Sequence, residues 1–293
     1  MALSLTVFLV AKRGGSRAGE SPGVIRIATK PMAEQFVLGE MLAQLIEAET
    51  GLKATIVKGI GGGTANIHPA LVRGDFDLYP EYTGTAWSYV LKKEGIPPED
   101  ELYAELRREY AGRFGLEWVG LYGFNNTFGV ALRGDIADKA GITAISGLAP
   151  LAGELVFGAE YDFYEREDGF DALCAAYGLT FKKHMDIDIG LKYAALDGGR
   201  IDVINVGTTD GRLGDSSARL LRDDKGFYRN YYCGTVVRAD VLARHPGLRA
   251  ALLRMENILD EEDMAGLNHE VEAKQRDERE VAREFLAAKG LIR

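Results

Sequence analysis

Gly23 to Thr85 reads GVIRIATKPMAEQFVLGEMLAQLIEAETGLKATIVKGIGGGTANIHPALVRGDFDLYPEYTGT, and this stretch decides the fold. It opens on VIRIAT, a short alternating run rich in β-branched residues, which is the pattern of a strand. EQFVLGEMLAQLIEAETG then places Phe36, Val37, Met41, Leu42, Leu45 and Ile46 on one helical stripe, with Gly51 as its stop. LKATIVKG is a second strand. TANIHPALVRG is a second helix with Thr64 as the expected N-cap, and Pro69 is tolerable there only near the first turns. DFDLYPEY is a third strand. Strand, helix, strand, helix, strand with short links predicts a parallel α/β sheet.

The pattern resumes after a long helix, PEDELYAELRREYAGRFG. Strands are predicted at LEWVGLY, FGVALR, ELVFGAE, LTFKKHMD, IDVINVG and GTVVR, with helices between them. In open parallel sheets, ligands bind outside the carboxyl ends of the strands. Tyr82, Thr85 and the glycines of GIGGGT sit at such ends.

The chain has 293 residues, enough for two cores, and 46% hydrophobic with 27% charged residues is the make-up of a soluble globular protein. A net charge of −9, with no Lys/Arg cluster beyond a short N-terminal one, argues against a nucleic-acid partner. The acidity concentrates in LDEEDM and EVEAKQRDEREVAREF, expected as a solvated helix face. His68, His184, His245 and His269 lack ligand spacing, so no metal site is expected. Cys174 and Cys233 are either one disulfide or two thiols, and the apolar setting of Cys174 in DALCAAYG favours thiols. No stretch reaches the roughly 18 apolar residues of a membrane span. Residues 1–21 are read as a membrane-segment remnant or leader plus linker, because a short apolar run precedes its basic cluster instead of following it.

GIGGGT departs from the dinucleotide fingerprint, since Thr64 stands where the last glycine belongs, and no Lys-Ser/Thr follows for a phosphate loop. It is either a close approach of backbone N–H groups to something small or a structural tight turn. No nucleophile elbow or carboxylate pair presents itself; Glu81 and Asp77 are weak evidence in an acidic protein, so no catalysis and no cofactor are expected. Aromatic residues at loop boundaries stand out instead: Tyr82, Phe128, Tyr161, Tyr164, Tyr231 and Tyr232. Ring faces attract a quaternary ammonium by cation–π interaction, and Lys30 and Arg166 supply charge-assisted hydrogen bonds to a carboxylate. A ligand with both ends is a betaine.

With these residues in view the chain resembles the substrate-binding proteins of osmoprotectant-type ABC importers, the glycine betaine, carnitine and choline family. The likeness is carried by IATKPMAEQFVLGEML, GDFDLYPEYTGT, GFNNTF, LVFGAEYDFYEREDG, IDVINVGTTDGRL, LRDDKGFY and YYCGTVVR, in order from Val24 onward. The resemblance implies the two-lobe type II periplasmic-binding-protein fold, each lobe a mainly parallel sheet flanked by helices, with a hinge the chain crosses twice. Lobe one would be 22–125 plus 233–293, and lobe two 126–232. Lys30, Tyr82 and Thr85 match ligand-contacting positions of lobe one; Asn126, Phe128, Arg166 and Tyr231 match positions of lobe two or its edge. Phe128 stands where many relatives have Tyr, and Gly207 occupies a position that resembles an aromatic cage wall in many of them. The implied role is extracytoplasmic, membrane-associated capture of a betaine or quaternary ammonium compound, ergothioneine among the larger ones. The implied partner is an ABC permease, separate or fused, with its ATPase. A sensory domain on the same fold is the alternative.

Overall fold

The computed structural model describes residues 23–160, 163–164, 169–187, 191–228 and 230–292; the expected leader lies outside them. In chain order the regular elements are β1 (Val24–Ala28), α1 (Ala33–Thr50), β2 (Lys53–Val57), α2 (Thr64–Arg73), β3 (Leu78–Tyr82), α3 (Glu99–Phe114), β4 (Leu116–Asn125), β5 (Phe128–Arg133), α4 (Gly134–Ala140) and β6 (Val156–Ala159). They continue with α5 (Phe170–Tyr177), β7 (Lys183–Asp186), α6 (Lys192–Asp197), β8 (Val203–Gly207), β9 (Ala218–Leu221), β10 (Tyr232–Arg238), α7 (Ala239–Arg244), α8 (Leu248–Leu253), α9 (Glu261–Glu272) and α10 (Glu278–Ala288).

The strands form two five-stranded sheets, ordered β2-β1-β3-β10-β4 and β7-β6-β8-β5-β9. Each has a parallel core of three strands, β2-β1-β3 and β7-β6-β8. Each also holds one strand antiparallel to both its neighbours: β10 between β3 and β4, and β5 between β8 and β9. The sheets are therefore mixed, and two copies of one design. The chain leaves the first sheet after Asn125, enters the second at Phe128, and returns to the first at Tyr232. All nine expected strands are present. The tenth, β9, has the sequence ARLL and no alternating apolar signal; pairing along β5 makes it a strand.

Helix α1 ends as its sequence dictates, with Gly51 at φ 70° donating its N–H to the Glu47 carbonyl. Its burial is broader than a stripe. Val37 to Ile46 are buried on all sides, and so are the polar Glu34, Gln35, Glu40 and Gln44, because α8, α9 and α10 wrap the helix as well as the sheet. Thr64 is not the N-cap of α2. Gly63 takes that position, and the Thr64 hydroxyl donates to Glu81 instead. Pro69 lies beyond the first turn, yet α2 continues to Arg73. The acidic C-terminal segment is only partly a solvated face. The surface acids Glu270 and Glu284 pair with Lys274 and Arg276. On its other side α9 buries Met264, Leu267, Asn268 and His269, and it packs against the 3-10 turn Gly211–Gly214 of the second half.

Candidate functional site

The sequence GIGGGT is a turn. Gly59, Gly62 and Gly63 adopt φ of 71°, 75° and 53°, the left-handed region that glycine alone enters freely. A Cβ on Gly63 would lie 3.7 Å from Lys30 Cγ, so the turn lies against the Lys30 stem. The lysine, 8% exposed, leaves β1 and places its ammonium 2.5 Å from Glu81 Oε1. Glu81 has no exposed surface, and its other oxygen accepts from Thr64 Oγ1 at 2.7 Å and from the Tyr79 hydroxyl at 3.0 Å. This carboxylate, which the acidic composition hides, anchors one end of the candidate site. Asp77 anchors Arg26, through the backbone N–H and two guanidinium contacts.

A second buried carboxylate, Glu34 in the first turn of α1, collects groups from across the molecule. Its Oε1 accepts from the Tyr82 hydroxyl at 2.5 Å and from Asn126 Nδ2 at 2.9 Å; its Oε2 faces Asn268 Nδ2 at 3.3 Å. Asn268 Nδ2 also donates to the Thr209 carbonyl at 2.7 Å, just beyond β8. Tyr82 is itself buried, with Gln35 Nε2 on its hydroxyl and Lys30 Nζ 4.5 Å from its ring centroid. Burial first, and the Glu34 charge second, push the Tyr82 phenol far above its ordinary range, so it stays a donor. From sequence, Glu34 reads as a helix N-terminal acid complementing the dipole. Nothing local announces its burial.

The other predicted positions flank the crossing. Phe128 and Gly207 are register partners on β5 and β8. The Phe128 ring meets Phe163 at 5.9 Å and Tyr228 at 6.1 Å. At Gly207 the space is open: an added Cβ would meet nothing nearer than Asp210 Cβ at 4.0 Å, and the backbone lies outside the left-handed region. Tyr231 lies on Gly84, where a Cβ would come within 2.7 Å of the ring, so a side chain there would evict it. Its backbone bonds to Asn125 Oδ1 and to the Asn126 N–H join the return strand to the outgoing one. Thr85 is half-buried at the end of the helical turn Thr83–Thr85. Arg166 and Tyr161 lie outside the described residues. Tyr164 donates to the Met185 carbonyl, and Tyr232 is placed beside Glu99. A cavity of about 810 Å³ is lined by both halves, including Asn125, Thr208, Tyr228 and Tyr232. Of the predicted residues that the structure describes, Phe128 and Tyr232 line it, whereas Lys30, Tyr82 and Asn126 gather on the two buried carboxylates. We place the candidate site at the crossing between the halves, with the two paired carboxylates as its buried framework. Cys174 and Cys233 are free thiols, and burial pushes Cys174 up to about 11.

Residues 23–288 match the family described as the substrate binding domain of ABC-type glycine betaine transport systems. The chain belongs to that family. It is 41% identical over 265 residues to the ergothioneine transport permease/ergothioneine binding protein EgtU of Helicobacter pylori, a match covering 90% of this chain and 47% of that relative, so the chain spans about half its length. It is 33% identical over 286 residues to the carnitine transport binding protein OpuCC of Listeria monocytogenes, covering 97% of this chain and 92% of the other. A crystal structure of a glycine betaine/carnitine/choline ABC transporter protein superposes with a TM-score of 0.85 at 28% identity, over 91% of this chain and 99% of that one. The architecture is thus the type II binding-protein fold that the sequence resemblance implies. Substrate-binding domains of ABC importers are transport components, not enzymes, and they work outside the cytoplasm. Among the described residues no helix is long and apolar enough to cross a membrane.

Proposed function

We propose that this substrate-binding domain captures a betaine or related quaternary ammonium compound between its two halves, taken as 22–125 with 233–293 and as 126–232. It then hands the compound to an ABC permease, separate or fused, with its ATPase. The observation that carries this reading is the convergence of ring-bearing strand ends on the crossing: Tyr82 closes β3, Phe128 opens β5 opposite Gly207, and Tyr231 precedes β10 over Gly84. Phe128 and Tyr231, both half-buried, are the walls offered to the cationic head, with Thr85 and Asn126 beside them. Tyr82 and Lys30 already hold each other and two carboxylates, so their part is to shape the site from within. The ligand carboxylate falls to Arg166 on sequence grounds. The names of the relatives extend the class from carnitine to ergothioneine, and the open position at Gly207 favours the bulkier members. The domain would work at the outer membrane face, periplasmic or cell-surface.

Calorimetry on Arg166→Ala tests the reading. Betaine affinity is expected to fall by about 1.5–3 kcal/mol, the worth of a hydrogen bond to a charged group, while choline, which has no carboxylate, is little affected. Equal losses for both would remove Arg166 from the site.

A further inference from the structure

Two stretches of backbone cross between the halves, and a further link is not covalent. Beyond β8 the chain runs through Thr208, Thr209 and Asp210 into the 3-10 turn Gly211–Gly214. The turn is fixed to the second half: Tyr193 donates to Asp210 Oδ2 at 2.8 Å, and Leu213 packs on the cluster that holds Leu196 and Val206. Helix α9 is fixed to the first half through Met264 and Leu267, which share a core with Met41 and Leu45. Turn and helix meet without a gap. A Cβ on Gly211 would lie 2.6 Å from the His269 nitrogen and 2.8 Å from the Asn268 carbonyl carbon, both backbone atoms, so only glycine lets the turn seat. Three polar groups of this segment are spent on the first half. Thr208 Oγ1 donates to the Asn125 carbonyl at 2.5 Å, and the Thr209 carbonyl accepts from Asn268 Nδ2 at 2.7 Å. The Gly211 carbonyl accepts from His269 Nδ1 at 3.0 Å.

Asn268 is the telling residue. It is 5% exposed, and its Oδ1 has no hydrogen-bond partner. An unbonded buried amide oxygen costs stability, so packing alone would favour an apolar side chain here. What the amide supplies is reach. Its Nδ2 also faces Glu34 Oε2 at 3.3 Å, and the other oxygen of Glu34 holds the Tyr82 hydroxyl and Asn126 Nδ2. One side chain thus ties the framework behind Tyr82, in the first half, to the loop that follows Gly207, in the second.

We propose that Asn268 and Gly211 are positioning residues for ligand capture. With Thr208 and His269 they form a clasp that holds the halves in the orientation where Tyr82 faces Phe128 and Gly207. Neither residue touches the ligand. A ligand that needs walls from both halves binds with an affinity scaled by the fraction of molecules in which those walls face each other. Loosening the clasp lowers that fraction, and it does so by one common factor for every ligand, small or large. The proposal rests on the betaine reading for where the ligand sits, whereas the ligand-free arm of its test is independent of that reading.

Wild type, Asn268→Leu and Gly211→Ala would be compared by calorimetry with glycine betaine, carnitine and ergothioneine, and by small-angle X-ray scattering with and without ligand. Each variant is expected to weaken every compound that wild type binds by the same factor, about threefold to tenfold, the loss of one ordinary hydrogen bond. Its ligand-free radius of gyration should exceed that of wild type and return to the wild-type value at saturation. A residue that only supports the fold would lower the thermal midpoint and leave both readouts unmoved. Unchanged or tighter binding, factors that differ between compounds by more than about threefold, or an unchanged ligand-free profile would overturn the proposal and leave the betaine reading standing. Wild type that binds none of the three compounds would defeat the betaine reading, and the ligand-free radius of gyration then decides alone: larger in the variants supports the clasp, unchanged overturns it. Should Gly211→Ala fail to fold, His269→Phe, which keeps a ring and removes the bond to the Gly211 carbonyl, takes its place with the same expectations.

Discussion

Replacing Lys30 by Met separates an architectural lysine from one that holds ligand. Lys30 and Glu81 have side chains 11% and 0% exposed and meet at 2.5 Å, so neither charge has water to fall back on. Removing the lysine leaves a carboxylate with Thr64, Tyr79 and a backbone N–H as its remaining donors and no countercharge. Breaking a buried pair in this way costs about 3–5 kcal/mol. In a domain of this size each kcal/mol is worth roughly 2–4 °C, so thermal unfolding should move down by about 6–20 °C. Adding Glu81→Gln removes the stranded charge while keeping a carbonyl oxygen for Thr64 and Tyr79, and the double variant should recover to within about 2 kcal/mol of wild type. Thermal unfolding followed by circular dichroism, with no ligand present, reads all three proteins. If Lys30→Met unfolds at the wild-type temperature, or the double variant is worse than the single, the reasoning that Glu81 already holds this charge is wrong.

Three further outcomes follow from particular contacts. Glu34→Gln keeps a carbonyl for Tyr82 and Asn126 but turns an NH2 toward Asn268 Nδ2, and it should destabilise by about 1–3 kcal/mol in denaturant unfolding; an unchanged midpoint would remove Glu34 from the framework. Gly207→Tyr enters open space on an unstrained backbone, so it should fold normally and tighten glycine betaine by about threefold to thirtyfold through one new cation–π contact; weakening of small and large betaines alike would contradict the open-wall account. His68 is packed edge-on against Tyr110 and Phe114 with neither ring nitrogen bonded, and burial lowers its pKa from the usual 6.5 against a smaller opposing pull from Glu81. Because the unfolded chain then takes the proton first, stability is complete above about pH 6.5 and falls as pH drops, with a slope of at most about 1.4 kcal/mol per unit from this group. His68→Phe should flatten that part of the stability–pH curve, and an identical acid limb would refute the assignment.

Most of the strands were legible as compact β-branched or apolar runs closed by a turn, whereas β7 is the polar KHMD and was marked only by the apolar residues that precede it. β9 was not, since ARLL owes its conformation to the β5 edge. Gly51 announced the end of α1, but the burial of Glu34 and Gln35 did not show. It arises from the return of α9 and α10, more than 200 residues later in the chain, over a face that reads as polar. Tyr82, Phe128 and Tyr231 could be picked out as rings at loop boundaries, with Lys30 as a cation to accompany them, whereas Asn126 and Gly207 were marked only by the family resemblance. The partners that fix them could not be picked out, because Glu81 and Glu34 differ from surface acids only by what folds over them. Asn268 was equally silent, an amide inside an acidic helix.

The most direct test of the central claim is calorimetric titration of the folded domain with glycine betaine, carnitine, choline and ergothioneine. At least one of them should bind saturably at one site per chain, with the larger betaines favoured over glycine betaine. Failure of all four to bind would contradict the account.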